Sequence, residues 1–97
     1  MNSYYVYILS NYTRTTFYVG VTGNLSRRIG QHAIGLGSEF TAKYNLKYLV
    51  YYEEFSSARE AICREKQLKA WHRDWKLRLI RNMNPEFRDL TYELAVR

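Results

Sequence analysis

A chain of 97 residues is long enough for one domain with one hydrophobic core, and a hydrophobic content of 46% excludes a mostly disordered chain. The formal net charge of +6 indicates an anionic partner, for which nucleic acid is the first candidate. The single cysteine, Cys63, excludes an internal disulfide and a zinc site built on several cysteines.

The chain carries no targeting or membrane signal that we recognise. Residues 1–5 do not form a basic segment followed by an apolar one. No stretch approaches the ~20 apolar residues that a membrane-spanning helix needs. We therefore expect a cytoplasmic protein that does not bind membranes, folded as a single domain over residues 1–97.

The chain begins with a predicted β-hairpin. Residues 4–9 and 16–21 are rich in aromatic and β-branched side chains, and a polar turn separates them. A four-residue loop over residues 11–14 would pair Tyr7 with Tyr18 and Tyr5 with Gly20. One face of the hairpin then carries tyrosines and the other is aliphatic. These tyrosines are either packing residues beneath a helix or part of a functional surface.

A helix is predicted next, over residues 25–34, with Asn24 as its N-cap. Its apolar stripe contains Leu25, Ile29 and Ala33. Arg28 and His32 are four residues apart, so they lie one above the other beside this stripe. They are either an ordinary boundary pair or polar groups held against the body of the protein for a function.

Residues 35–45 contain two glycines and mixed polar residues, which predicts a mobile loop. Gly37, Thr41 and Lys43 follow directly on the helix that bears Arg28 and His32. Because loops on a rigid scaffold often carry binding residues, we expect this loop to lie beside the substrate.

The second half of the chain predicts a strand and two helices. Residues 48–55 form the strand, whose tyrosines could belong to the core or to a self-association surface. Ser56 or Ser57 can cap a long helix that ends near Ala70, and a further helix runs over residues 73–83 until Pro85 ends it. The remainder, residues 86–97, predicts a packed turn with a frayed end. The element order is therefore β-β-α-β-α-α.

Positive charge is concentrated in these two helices. Residues 56–82 hold eight lysines and arginines against three acidic residues, which is a net charge of +5. This concentration favours a binding surface over diffuse solubilisation. The basic side chains that we expect to contact nucleic acid are Lys43, Lys66, Lys69, Arg73 and Lys76.

Glu65 is the anomaly of the long helix, because it lies within the predicted apolar arc of Ala58, Ala61, Ile62 and Leu68. An unpaired buried carboxylate is costly, so Glu65 needs a partner. Lys69, four residues later, could be that partner in a purely structural interpretation. A hard divalent cation such as Mg²⁺ is the functional alternative, since one carboxylate and a phosphate substrate can suffice for it.

The tyrosine face of the hairpin, the Arg28–His32 pair and Glu65 together indicate phosphodiester hydrolysis. This reaction requires a positioned water, a proton acceptor and positive charge for the phosphate. Tyrosines could orient or deprotonate the water, Arg28 could stabilise phosphate oxygens, and Glu65 could hold the metal.

The sequence also resembles a known family, the GIY-YIG nucleases. Residues 5–7 (Tyr-Val-Tyr) and 18–20 (Tyr-Val-Gly) are similar to the two halves of its signature, with ten residues between the tyrosines. Residues 24–32 resemble the helix with its essential arginine, and residues 64–69 the helix with its metal-binding glutamate. The likeness covers nearly the whole chain, including the tail at residues 84–90. It is closest to small stand-alone bacterial members, which are similar to the N-terminal nuclease domain of a DNA-repair excinuclease.

The resemblance implies an α+β fold, with a three-stranded antiparallel β-sheet flanked by helices. It implies hydrolysis of DNA, or of RNA, with one Mg²⁺ or Mn²⁺ ion, in repair or processing of DNA. Carried over by position, the catalytic residues are Tyr7, Tyr18, Arg28, His32 and Glu65, with Glu65 as metal ligand. Tyr7 or His32 would serve as base, and the sequence does not decide between them. Tyr5 stands where the signature has its first glycine, at a position that mostly packs.

Two other functions remain open from the sequence. One is a nucleic-acid-binding module of the same fold with weak or no catalysis, and the other is an interaction protein that keeps only the fold. Binding alone would not require a carboxylate among basic residues, which favours the nuclease. Protein partners and the oligomeric state stay open.

Overall fold

The computed structural model describes residues 2–95, with side chains to residue 94. Within that range the predicted α+β fold with a three-stranded antiparallel sheet is confirmed. In chain order the elements are β1 (Tyr4–Ser10), β2 (Phe17–Thr22), α1 (Leu25–Ala33), α2 (Glu39–Lys43), β3 (Tyr48–Phe55), α3 (Ala58–Ala70), α4 (Arg73–Met83) and α5 (Thr91–Ala95). No helix in the described part of the chain is long and apolar enough to cross a membrane.

The hairpin register differs from the prediction by two residues. Tyr7 lies opposite Gly20, not opposite Tyr18. The connecting loop is longer than predicted because the Asn11 side chain accepts hydrogen bonds from the backbone N–H groups of Thr15 and Thr16 and so holds both outside the strand. A shift of two residues leaves every side chain on its predicted face, since strand side chains alternate with a period of two.

The strand order of the sheet is β2-β1-β3. Each face of the sheet covers one of two hydrophobic cores. The first core packs α3 and α4 on one face, through Val6, Ile8, Val19, Val50, Tyr51, Ala61, Leu68 and Ile80. The second core packs α1 and the C-terminal segment on the other face, through Tyr7, Leu9, Leu25, Ile29, Leu46, Leu49 and Leu90. Alternation along β1 therefore supplies both cores.

The capping predictions for α1 and α3 are confirmed. The Asn24 side chain accepts a hydrogen bond from the backbone N–H of Arg27, and Ser57 serves α3 in the same way through Glu60. Two apolar assignments are wrong. Ala33 is exposed, and so is Ile62, whose side chain points away from both cores.

Residues 35–45 are not an irregular loop throughout, because α2 occupies their second half. Its N-cap Ser38 accepts a hydrogen bond from the backbone N–H of Thr41, and Glu39 occupies the first turn, where a negative charge is favourable.

The C-terminal segment was predicted as a packed turn, and it contains the short helix α5. Its docking depends on β3. The Asp89 carboxylate accepts a hydrogen bond from the Leu49 N–H, and the Leu90 N–H donates to the Leu49 carbonyl. The predicted frayed end at residues 96–97 lies outside the described residues.

Candidate functional site

The candidate site lies where β1, β2 and α1 meet, and Tyr7 is at its centre. The Tyr7 side chain is 1% exposed, and its ring crosses the backbone of Gly20 on the neighbouring edge strand. A Cβ atom on residue 20 would overlap with the Tyr7 ring. Glycine at this position is therefore required for close approach, which positions the tyrosine hydroxyl near the edge of the sheet.

The Tyr7 hydroxyl begins a chain of buried hydrogen bonds. It lies 2.9 Å from Nε2 of His32, whose Nδ1 lies 3.0 Å from Oγ1 of Thr41. In the tautomer that lets the Thr41 hydroxyl donate to the Ser38 carbonyl, this hydroxyl accepts from Nδ1–H of the neutral imidazole. Nε2 then presents its lone pair to Tyr7. In this arrangement His32 can accept a proton from Tyr7.

Arg28 lies on the same helix and reaches the same hydroxyl. Its Nε–H donates to Tyr7 at 3.4 Å, and its two terminal nitrogens donate to Oε1 of Gln31 at 3.0 Å and to the Gly37 carbonyl at 2.8 Å. Three acceptors fix the guanidinium plane, while the side chain remains partly exposed. The guanidinium group is therefore held at a partly exposed position, where a phosphate can bind to it.

Burial and these charges determine the protonation of the site. Burial raises the pKa of Tyr7, the hydrogen bond from Arg28 opposes that rise, and the charges of Tyr18 and Glu65 add to it. Burial, followed by repulsion from Arg28, lowers the pKa of His32 to about 4. At neutral pH the tyrosine is protonated and the imidazole is neutral, as the hydrogen-bond chain requires.

Tyr18 stands beside this pair without replacing either member. Its ring centroid lies 6.4 Å from that of Tyr7 and 5.6 Å from that of His32. The structure thus brings Tyr7, Tyr18, Arg28 and His32 together. Tyr5 lies on the same face of β1 but packs in an edge-to-face contact with Tyr52, at 6.5 Å between ring centroids.

Glu65 belongs to α3, on the opposite side of the sheet from α1, and its charge contributes least of the named causes to the raised pKa of Tyr7. Its side chain is 13% exposed and forms an ion pair of 2.7 Å with Lys69, which is 52% exposed. The partner of the structural interpretation is therefore present. Because that lysine is half exposed, solvent screens the ion pair and its contribution to stability is small.

The donor set fits a hard divalent cation with few protein ligands. No group of three or more histidine, cysteine or acidic residues capable of holding a metal occurs among the described residues. A single carboxylate suits an ion that keeps most of its waters, as Mg²⁺ does. Glu65 is the residue that could hold it.

The five basic residues predicted to contact nucleic acid lie on three helices. Lys43 is exposed on α2, and its Nζ lies 5.3 Å from the ring centroid of Tyr44. Lys66 and Lys69 are exposed on α3. On α4, Arg73 is exposed with its guanidinium 5.8 Å from the Phe17 ring centroid, whereas Lys76 is partly buried and burial lowers its pKa.

Sequence analysis did not identify the groups that hold Arg28 and His32 in place. Gln31 and the Gly37 carbonyl hold Arg28, and Thr41 holds His32. A Cβ atom on residue 37 would overlap with the His32 imidazole, so glycine is required there too. The available signal was Ser38 followed by Glu39, which is typical of a helix start and would have indicated that α2 is ordered.

Comparisons with known proteins show the family to which the chain belongs. A family model described as the GIY-YIG catalytic domain matches residues 3–78. A UPF0213 protein of Staphylococcus haemolyticus is 39% identical over 80 residues, covering 82% of this chain and 96% of that protein. A UPF0213 protein of Clostridium perfringens is 42% identical over 76 residues, covering 78% and 81% respectively. The solution NMR structure of a UPF0213 protein from Bacillus halodurans superimposes with a TM-score of 0.58 at 31% identity, covering 92% of this chain and 94% of that one.

Proposed function

We propose that this chain is a metal-dependent endonuclease that hydrolyses phosphodiester bonds in DNA. The premise is that the chain belongs to the GIY-YIG nuclease family. The observation that supports the proposal is the Tyr7 hydroxyl, which contacts both the imidazole of His32 and the guanidinium of Arg28. One hydrogen-bond partner is sufficient for a tyrosine that only packs. We propose a cytoplasmic role in DNA repair or processing.

We assign each residue a proposed role that is consistent with its contacts. Tyr7 orients the attacking water and accepts its proton, while its own proton passes to Nε2 of His32. Arg28 stabilises the negative charge that develops on the phosphate oxygens. Tyr18 lines the same side and restricts where the water can lie. Glu65 would hold one Mg²⁺ or Mn²⁺ ion, which supplies further positive charge to the phosphate when bound.

A nucleic-acid-binding module without catalysis is the second candidate, and the Glu65–Lys69 ion pair favours it. In that function Glu65 stays paired with Lys69 and holds no metal ion. The basic side chains of α2, α3 and α4 serve either candidate. Both candidates predict electrostatic, weakly sequence-selective binding, with a log–log salt slope of about 0.7 to 0.9 per phosphate contact.

The two candidates separate in a nicking assay on supercoiled plasmid and branched DNA, with Mg²⁺, with Mn²⁺ and with a chelator. Glu65→Gln keeps the shape of the side chain and removes its charge. We expect cutting to fall by orders of magnitude while DNA affinity is retained or increases. Glu60→Gln, on the exposed side of the same helix, is the matched control and should cut normally.

Two results would overturn the nuclease proposal. One is wild-type cutting that persists in chelator, and the other is a Glu65→Gln protein as active as the control. If the wild-type protein binds each DNA but cuts none, the binding module is the better function. Thermal melting of both variants excludes loss of fold as the cause.

A further inference from the structure

The helix α2 has one buried side and one exposed side, and the two differ in chemistry. Thr41 on the buried side is 1% exposed and hydrogen-bonds to His32. Phe40 and Tyr44, on the other side, are each 44% exposed. Half-exposed aromatic rings leave apolar area in water, and a contiguous patch of this kind commonly marks a binding surface.

The exposed rings are continuous with the candidate site. Phe40 stacks on Tyr18, with an interplanar angle of 29° and 6.3 Å between ring centroids, and Tyr44 lies 4.8 Å from Phe40 by the same measure. Tyr18 in turn contacts His32. The rings therefore lead outward from the atoms that we propose to act on the scissile phosphate.

The position of this patch is fixed by the site itself. Arg28 donates to the Gly37 carbonyl immediately before α2, and His32 hydrogen-bonds to Thr41 within it. The missing Cβ of Gly37 leaves room for the imidazole. Hydrogen bonds to two proposed catalytic residues thus fix where the exposed rings lie relative to Arg28 and His32.

The occupant must be flat, aromatic and attached to an anion. A ring that stacks on Phe40 and Tyr44 would lie within reach of Lys43, whose ammonium lies over the Tyr44 ring. A nucleobase meets these conditions, since every base has a π-face and a neighbouring phosphate. Bases in an intact duplex already stack on both faces, so only an unpaired base is free to bind.

We infer that Phe40 and Tyr44 form a stacking platform for an unpaired nucleobase next to the phosphate that is cut. This inference rests on the proposed function and narrows its substrate class to DNA with single-stranded, flipped or junction nucleotides. The aromatic patch would then select the structure of the substrate, while the basic residues contact the backbone without regard to sequence.

The test compares three fluorescent ligands in chelator: a single strand, the same strand with consecutive abasic sites at its centre, and a duplex. The abasic strand keeps the phosphates but lacks the bases. We expect the wild-type protein to bind the intact strand more tightly than the abasic one, by roughly 5- to 150-fold for one stacked base. Phe40→Ala with Tyr44→Ala should remove that preference and leave abasic-strand affinity unchanged. Tyr92→Ala, at an equally aromatic position that is 78% exposed on α5, should keep the preference.

If the double alanine variant does not fold, Phe40→Leu with Tyr44→Leu keeps apolar volume without the π-face and carries the same expectation. Equal wild-type affinity for intact and abasic strands would overturn the platform, as would a preference that survives in a folded double variant. In either case, metal-dependent plasmid nicking by the wild type would leave the nuclease proposal standing. A wild-type protein that binds none of the three ligands would also overturn the platform, and plasmid nicking with Mg²⁺ or Mn²⁺ decides the nuclease proposal separately.

Discussion

The two faces of the sheet use alternate residues of the same strands but bury different chemistry. On the α3/α4 face, Val6, Ile8 and Val19 pack against Leu68 and Ile80 in a core of largely aliphatic side chains. The opposite face, which α1 and α2 cover at the candidate site, is called the α1/α2 face. There Tyr7, His32 and Thr41 are equally buried, but each is joined to the next by a hydrogen bond. Apolar packing stabilises the first face, whereas the second holds polar groups in fixed positions.

The contrast shows how a small domain can bury polar side chains, since each of them is hydrogen-bonded. Among the described residues, no buried side-chain nitrogen or oxygen lacks a hydrogen-bond partner. A polar network is stable only when every member is satisfied, so loss of one member on the α1/α2 face should alter function and geometry together. Loss of a methylene on the α3/α4 face should reduce stability alone. Four predictions test this difference.

The largest expected effect is on cutting. Arg28→Ala should reduce plasmid nicking by about 10²- to 10³-fold, as expected when one positioned donor to a developing negative charge is removed. Arg27→Ala removes an exposed charge from the same helix and should change DNA affinity only slightly. Single-turnover rates at saturating protein separate the two effects. Equal loss in both variants would mean that Arg28 acts only through net charge.

The next effect is on stability. Leu68 is fully buried in the first core, so Leu68→Ala should lower the free energy of unfolding by about 2–5 kcal/mol in urea titrations. Ile62→Ala, on the same helix but 43% exposed, should change it by about 0.5 kcal/mol or less. Cutting per folded molecule should match wild type in both variants. A folded Leu68→Ala protein that loses activity would show that the two faces are coupled.

A pH-dependent effect should come from His32. The folded protein keeps this imidazole neutral down to about pH 4, because burial lowers its pKa, whereas the unfolded chain takes up a proton near 6.5. The unfolded state therefore binds more protons between these values, and stability should fall as the pH is lowered through that window, by up to roughly 3 kcal/mol. Above this window the residue contributes no pH dependence. His32→Gln should flatten the slope measured by urea unfolding, and His72→Gln, at an exposed position, should leave it intact.

The smallest effect compares two glycines. Gly20→Ala forces the Tyr7 ring to move and should cost about 1–3 kcal/mol of stability together with part of the activity. Gly30→Ala adds a methyl group to the interior of α1 with no atom within 4 Å, and should stabilise the protein by about 0.5–1 kcal/mol. Calorimetric melting checks both signs. A Gly20→Ala protein with full activity would contradict the role assigned to the tyrosine hydroxyl.

Local patterns in the sequence were sufficient for most elements. Alternation assigned Tyr7 and Val6 to opposite faces, and the caps Asn24 and Ser57 placed the starts of two helices, because both signals act over a few neighbouring residues. The hairpin register was wrong since it depends on side-chain bonds within the loop, from the Thr15 and Thr16 N–H groups to Asn11. A period-two pattern contains no information about a shift of two residues.

The sequence by itself therefore determined the secondary structure of the sheet and long helices, the concentration of positive charge, and the resemblance of the chain to its family. Only the tertiary structure decided which polar groups meet. Tyr7 and His32 are 25 residues apart in the chain, yet their side chains are hydrogen-bonded. Their contact depends on how α1 packs on the sheet, and that packing is set by the apolar area of the second core, not by any local pattern.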